Sequence, residues 1–172
     1  MIDYKHLCHS VCDIAKEAGA FIRTHVGTIK TNLIDVKGQH DLVTFVDKSS
    51  EKLIVERLKQ LLPDSGFIAE EGTDESIGDV YNWIIDPLDG TTNFLHGLPH
   101  FAISIALEVR DEIVAAVVYD PIKDEMYTAE KGNGAYLNDR RLRVSGRVSL
   151  DSTIIATGTP FLGRGDRGPF LR

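Results

Sequence analysis

The sequence is short of the groups that would mark a secreted, membrane-spanning or thiol-dependent protein. It holds two cysteines, Cys8 and Cys12, one helical turn apart on a segment that reads as helix. That spacing is poor for a disulfide and fits a reducing compartment. His6 and His9 lie close by, so a metal site can be drawn there, against the plainer reading of Cys as a small buried apolar residue. No apolar run approaches the roughly 20 residues a bilayer span requires. The opening residues, MIDYKHLCHSVCDIAKEAGAF, lack the basic-then-apolar order of a secretory signal, and a cytoplasmic location is expected. No G-x-S-x-G elbow occurs, and no Ser or Cys stands out as a nucleophile. Between Pro63 and Asp89 there is no Lys or Arg against eight acidic residues. Such a stretch argues against a nucleic-acid surface and suits divalent cations.

What is present is the balance of a globular chain: 172 residues, 42% hydrophobic, 26% charged, net charge −7. That length suits one ordinary domain, or one and part of a second. Leu7, Val11, Ile14, Ala18 and Ile22 recur at helical intervals, which predicts a helix over 2–25 with one apolar face. VKGQHDLVTFVD reads as an extended or looped connection. A second helix is expected from about Asp47, with Leu53, Ile54, Leu58 and Leu61 inward, ending at LPDSG. GFIAEEG, NWIID, FAISIALEV, EIVAAVVYD, DEMYTAEKG, GAYLNDR and RLRVS then read as short strands, with a hairpin at Arg110-Asp111. The fold class expected is α+β: two N-terminal helices packed on a largely antiparallel sheet. Residues 1–150 form that domain. In 151–172, STIIATGTPF reads as one more strand and LGRGDRGPFLR as a loop or frayed end. Arginines dominate after residue 139 and are the candidates for contact with nucleic acid, which is otherwise not expected.

The chemistry gathers in WIIDPLDGTTNF. Asp86 and Asp89 flank Pro87-Leu88 just after an apolar strand, and Pro87 stiffens what reads as a turn. The carbonyl of Leu88 is a further hard oxygen donor. Mg²⁺ takes a few such oxygens together with waters and substrate phosphate. Gly90-Thr91-Thr92 supplies backbone N–H groups and hydroxyls, which point at an anion if a helical turn opens there. Glu70 and Glu71 end the preceding strand. Asp47 precedes a helix, where an Asp is first of all an N-cap. The plain alternatives are an Asp-rich turn capped by Thr and solvated acids, the latter expected for Asp74, Glu75 and Asp79.

WIIDPLDGTTNFLHG, with DLVTFVDKSSEKLI and FIAEEG upstream in that order, resembles the inositol monophosphatase family of lithium-sensitive, Mg²⁺-dependent phosphomonoesterases. The resemblance runs from the first helix to about Gly158. It implies that Glu70, Asp86 and the Leu88 carbonyl hold a first Mg²⁺, and that Asp86 and Asp89 share a second. An intact site of this type carries two or three ions. Asp47 and Thr91 would orient and help deprotonate the attacking water, Glu70 completing the catalytic set. Gly90, Thr91 and Thr92 would cradle the phosphate, and Lys37 would lie near the mouth. The implied reaction is in-line attack of an activated water on a polyol or sugar phosphate. The implied assembly is a homodimer with no membrane association.

The sequence departs from that pattern in one respect. Family members carry a later Trp-Asp motif whose Asp completes the second metal site, whereas Trp83, the single Trp here, is followed by Ile. The expectation is a truncated chain whose activity depends on what is missing. Two other readings stand beside the first. A haloacid-dehalogenase-type phosphatase would use an Asp nucleophile, but its aspartates are two apart where Asp86 and Asp89 are three apart. A non-catalytic regulatory or binding module is the other.

Overall fold

A computed structural model describes residues 3–27, 34–37 and 41–156. The first helix, α1 (Tyr4–His25), starts where expected because Asp3 caps it, its carboxylate accepting from the N–H groups of Lys5 at 3.1 Å and His6 at 3.2 Å. Arg23 and His25 occupy its last turn, where the helix dipole favours cations. Leu7, Val11, Ile14, Ala18 and Ile22 are buried along one face. Cys8 and Cys12 are free thiols, and among the described residues no group of acids, His and Cys is arranged to hold a metal ion.

The connection before the second helix is a short hairpin of β1 (Ile34–Lys37) and β2 (Asp41–Thr44), running into α2 (Phe45–Leu61). Because α2 begins at Phe45, Asp47 lies inside its first turn and is not the N-cap. The main sheet has seven strands in sequence order: β3 (Gly66–Ala69), β4 (Tyr81–Asp89), β5 (Ala102–Val109), β6 (Ile113–Asp120), β7 (Glu125–Glu130), β8 (Gly134–Leu137) and β9 (Arg140–Arg141). From β4 onward it is the expected antiparallel meander. The first pair differs: β3 and β4 are parallel, since the connection 70–80 returns the chain to the start of β3 before β4 sets out. The β5–β6 hairpin turns at Arg110 and Asp111, with φ of 50° and 64°, the sign that primed hairpin turns require.

Asp86-Pro87-Leu88-Asp89 is not a turn after a strand. It is the end of β4 itself, carrying a bulge: Asp86 pairs with Ser104 and Asp89 with Ala102, so β4 holds one residue more than β5 over that interval. A bulge tolerates Pro87, which has no N–H to give the ladder. At the other end of the chain, STIIA does not form a strand. A 3₁₀ turn, Leu150–Ser152, is followed by extended residues with Ile154 91% exposed, and among the described residues no strand lies beside them. Segment 157–172 lies outside the described residues.

One face of the sheet is the core. Trp83, Ile85, Ile103, Ile105, Leu107, Val117 and Tyr119 alternate inward and are buried with the apolar faces of α1 and α2. No described helix is long and apolar enough to cross a membrane. The helix layer approaches β6 closely at Gly19, where a Cβ would stand 2.6 Å from Cε1 of Tyr119. That ring cannot swing aside, because its hydroxyl donates to Asp124 at 2.8 Å and accepts from Arg23 at 3.4 Å. Gly19→Ala is therefore expected to destabilise the chain by about 1–3 kcal/mol through overpacking. That outweighs the roughly 1 kcal/mol gain in helix propensity. Urea unfolding of the two proteins checks it.

Candidate metal and phosphate site

The parallel pairing of β3 and β4 sets Ala69 opposite Ile85, and the Glu70 N–H donates to the Ile85 carbonyl at 3.2 Å. Glu70 thus emerges beside Asp86 at the same end of the sheet. Asp86 is half-buried, and burial pushes its carboxyl up to about 7. The neighbouring Glu70, by charge and by hydrogen bonding, and the charge of Asp89 push the same way. The Leu88 N–H, 3.1 Å from Oδ1 of Asp86, opposes them. Asp89 is exposed at the far side of the bulge. Among the described residues no three acids are grouped closely enough to ligate one ion. The structure therefore brings Glu70 and Asp86 together, and Asp89 acts on Asp86 through space.

This donor set suits a small hard cation. Mg²⁺ takes one or two carboxylates and keeps several waters, and the Glu70–Asp86 pair supplies two. The Leu88 carbonyl already accepts the Thr91 hydroxyl at 3.0 Å and retains a second lone pair.

Gly90 sits at the N-terminus of α3 (Thr91–Leu95) with φ of 96°. A Cβ there would lie 2.9 Å from the His100 carbonyl oxygen, so both conformation and space demand glycine. The short helix is stapled from behind: Asn93 donates to the His100 carbonyl at 2.7 Å, and Phe94 packs edge-on against Phe101 at 5.2 Å between centroids. Thr91 is half-buried and Thr92 exposed. Asp47 is 2% exposed in the first turn of α2, and α2 packs on β4. Lys37 belongs to β1, and its side chain lies outside the described residues.

The sequence reading missed Glu51. It is one helical turn after Asp47, 0% exposed, and its two oxygens accept the N–H groups of Glu71 and Thr73, each at 2.7 Å. The signal was there: Glu51 stands three residues before Ile54 and seven before Leu58, on the buried face of the same helix. Asp74, expected to be solvated, is held instead. Lys59 pairs with it at 2.5 Å and Ser76 donates to it, and together they lower its carboxyl to about 2. A groove of about 880 Å³ lies elsewhere, between α1 and β7–β8, lined by Cys8, Cys12 and Glu130 among others, and takes in none of the site residues named above.

The sequence model of the inositol monophosphatase family matches residues 3–169. An inositol-1-monophosphatase of Rhizobium meliloti is 50% identical over 156 residues, which is 90% of this chain and 59% of the relative. The Nus factor SuhB of Escherichia coli K12 is 45% identical over 152 residues, 86% of this chain and 55% of the relative. The crystal structure of the extragenic suppressor protein suhB from Bartonella henselae superposes with a TM-score of 0.87 at 44% identity, covering 92% of this chain and 62% of that one. The chain thus spans under two thirds of the length of each of these relatives.

The raised carboxyl of Asp86 has a signed consequence for stability. A carboxyl held above its unfolded value favours the folded state while protonated. That stabilisation is complete below the unfolded pKa near 4 and is lost as pH rises to about 7. In EDTA, the unfolding midpoint is expected to fall between pH 5 and pH 7.5 in the wild type and to stay level in Asp86→Asn. Thermal melts of both proteins across that range check it.

Proposed function

We propose that this chain, which belongs to the inositol monophosphatase family, forms the cation- and phosphate-binding part of a Mg²⁺-dependent phosphomonoesterase acting on a polyol or sugar phosphate. The observation that carries this reading is the Glu70–Asp86 contact at the strand ends, with a hydroxyl-bearing helix start directly after it. A buried carboxyl whose proton affinity is raised by a neighbouring carboxylate, as that of Asp86 is by Glu70, gains when a cation replaces the proton.

In this reading Glu70, Asp86 and the Leu88 carbonyl hold one ion, and Asp86 and Asp89 hold a second. A divalent cation there supplies Lewis acidity at the phosphate oxygens and lowers the pKa of an attacking water. The backbone N–H groups of Gly90 and Thr91, with the Thr92 hydroxyl, bind the phosphate; Lys37 adds positive charge at the mouth. Asp47 and Thr91 orient the water, and Asp47 takes up its proton. The residues that choose among inositol, sugar and nucleotide phosphates are expected in the part of the relatives that this chain does not span.

A second reading rests on the likeness to the Nus factor and on the exposed arginines Arg140, Arg141, Arg143 and Arg147: a regulatory role through contact with RNA. Titration with RNA at two salt concentrations separates the two, because phosphate contacts weaken steeply with salt. The phosphatase reading expects no salt-sensitive binding.

The direct test is phosphate release from inositol 1-phosphate with Mg²⁺, with and without Li⁺, for the wild type and Asp86→Asn. Because the chain spans only part of its relatives, slow release is expected from the wild type. That release is lithium-sensitive and drops about 100-fold or more in the variant, the scale of losing one preorganised electrostatic group. Equal release from both proteins would sink the reading.

A further inference from the structure

Glu51 is a buried anion with one visible employment. Its carboxylate is fully out of water, on the buried face of α2 that also holds Val46, Asp47, Ser50, Ile54, Val55 and Leu58. An unpaired carboxylate would be very costly there, so its hydrogen bonds have to be good. They are short and charge-assisted: Oε2 takes the Glu71 N–H and Oε1 the Thr73 N–H, both at 2.7 Å. The two grips fall on either side of Gly72, whose φ of 70° lets the chain turn tightly between them. The turn is closed further by the Gly72 N–H on the Ala69 carbonyl at 3.3 Å.

The consequence falls on Glu70. Its own N–H is fixed to the Ile85 carbonyl of β4 at 3.2 Å, and the peptide after it is fixed through the Glu71 N–H by Glu51. Both peptide planes flanking Glu70 are therefore clamped, one by the sheet and one by α2. Only the side-chain torsions of Glu70 are left to bring its carboxylate to Asp86. The helix that supplies the clamp also carries Asp47 one turn earlier.

We propose that Glu51 is a positioning residue for the cation site: it fixes the 70–73 loop from α2 and so presents Glu70 beside Asp86. This rests on the reading of Glu70 as a cation ligand. Its role differs from that of a core residue, because what it holds is the backbone of one loop and not the packing of the sheet. It also differs from a simple contribution of negative charge.

Two variants and two readouts separate these roles. Glu51→Gln keeps shape and one acceptor oxygen but sets an NH₂ group against one N–H. Glu51→Asp keeps the charge but is a methylene too short to reach both. The readouts are amide hydrogen exchange of the free protein and calorimetric Mg²⁺ affinity. In the wild type the Glu71 and Thr73 amides are expected to be protected. In both variants they lose protection at least about 10-fold while the amides of β4 and β5 keep theirs, and Mg²⁺ binds about 10-fold more weakly, the usual scale for a group that supports a metal ligand.

Wild-type exchange at Glu71 and Thr73 as fast as in an unstructured chain would overturn the proposal. So would an even loss of protection across the sheet, which would make Glu51 a core residue. Full Mg²⁺ affinity in Glu51→Asp with loss in Glu51→Gln would make charge, not position, its contribution. If the wild type bound no Mg²⁺, the cation reading would fail on its own, and the amide pattern would still decide whether Glu51 fixes the loop.

Discussion

Glu70 and Asp86 meet because β3 runs parallel to β4 and stops where β4 goes on, and most of the site follows from holding those two acids together. The pairing of Ala69 with Ile85 delivers Glu70 to the right place. Burial and mutual repulsion then push the Asp86 carboxyl up to about 7, far from where an Asp sits in water. A protein tolerates such an arrangement when something positive resolves it, a proton or a cation. Around the pair, the bulge in β4 moves Asp89 outward, and Gly90 lets the chain bend at once into α3. Asp86 and Gly90 thus stand on a strand end and a helix start, which place groups more accurately than free loops do. The loop of Glu70 is held at both of its flanking peptides.

The core supports this in a specific way. Trp83 and Ile85 alternate with Ile84 and Asp86 along β4, so the strand buries one face under α2 and turns the other toward the site. α2 lies on that buried face, and Glu51, one turn after Asp47, holds the loop that follows β3. One helix therefore packs the sheet through Ile54 and Leu58 and grips the loop of Glu70 through a carboxylate. Stability and site geometry are joined in a single element.

Periodicity carried much of this into plain view. The apolar face of α1, the antiparallel run from β4 to β9 and the hairpin at Arg110-Asp111 were readable from side-chain spacing. So was the gathering of acids and Gly-Thr-Thr around Asp86, because acids at the end of an apolar run are conspicuous. Other features depend on partners distant in sequence and were not readable. The parallel pairing of β3 with β4 is set by how the 70–80 connection folds, and no local pattern records it. Asp86-Pro87-Leu88-Asp89 looked like a turn because Pro usually ends strands, but a bulge is the other place a strand accepts it. STIIA had a strand's composition and lacked a described neighbour to pair with. Glu51 was hidden by the habit of assigning acids to the wet face, although its position in the helical repeat placed it inside.

The central claim is that a cation replaces the proton that the Glu70–Asp86 pair would otherwise hold. The most direct measurement is calorimetric titration with Mg²⁺ in two buffers of different ionisation enthalpy, at pH 6.5 and at pH 8.5, which counts the protons displaced. The account predicts net proton release on binding at pH 6.5, less at pH 8.5, and none in Asp86→Asn. Binding with no proton release at either pH, or the same release from the variant, would contradict it.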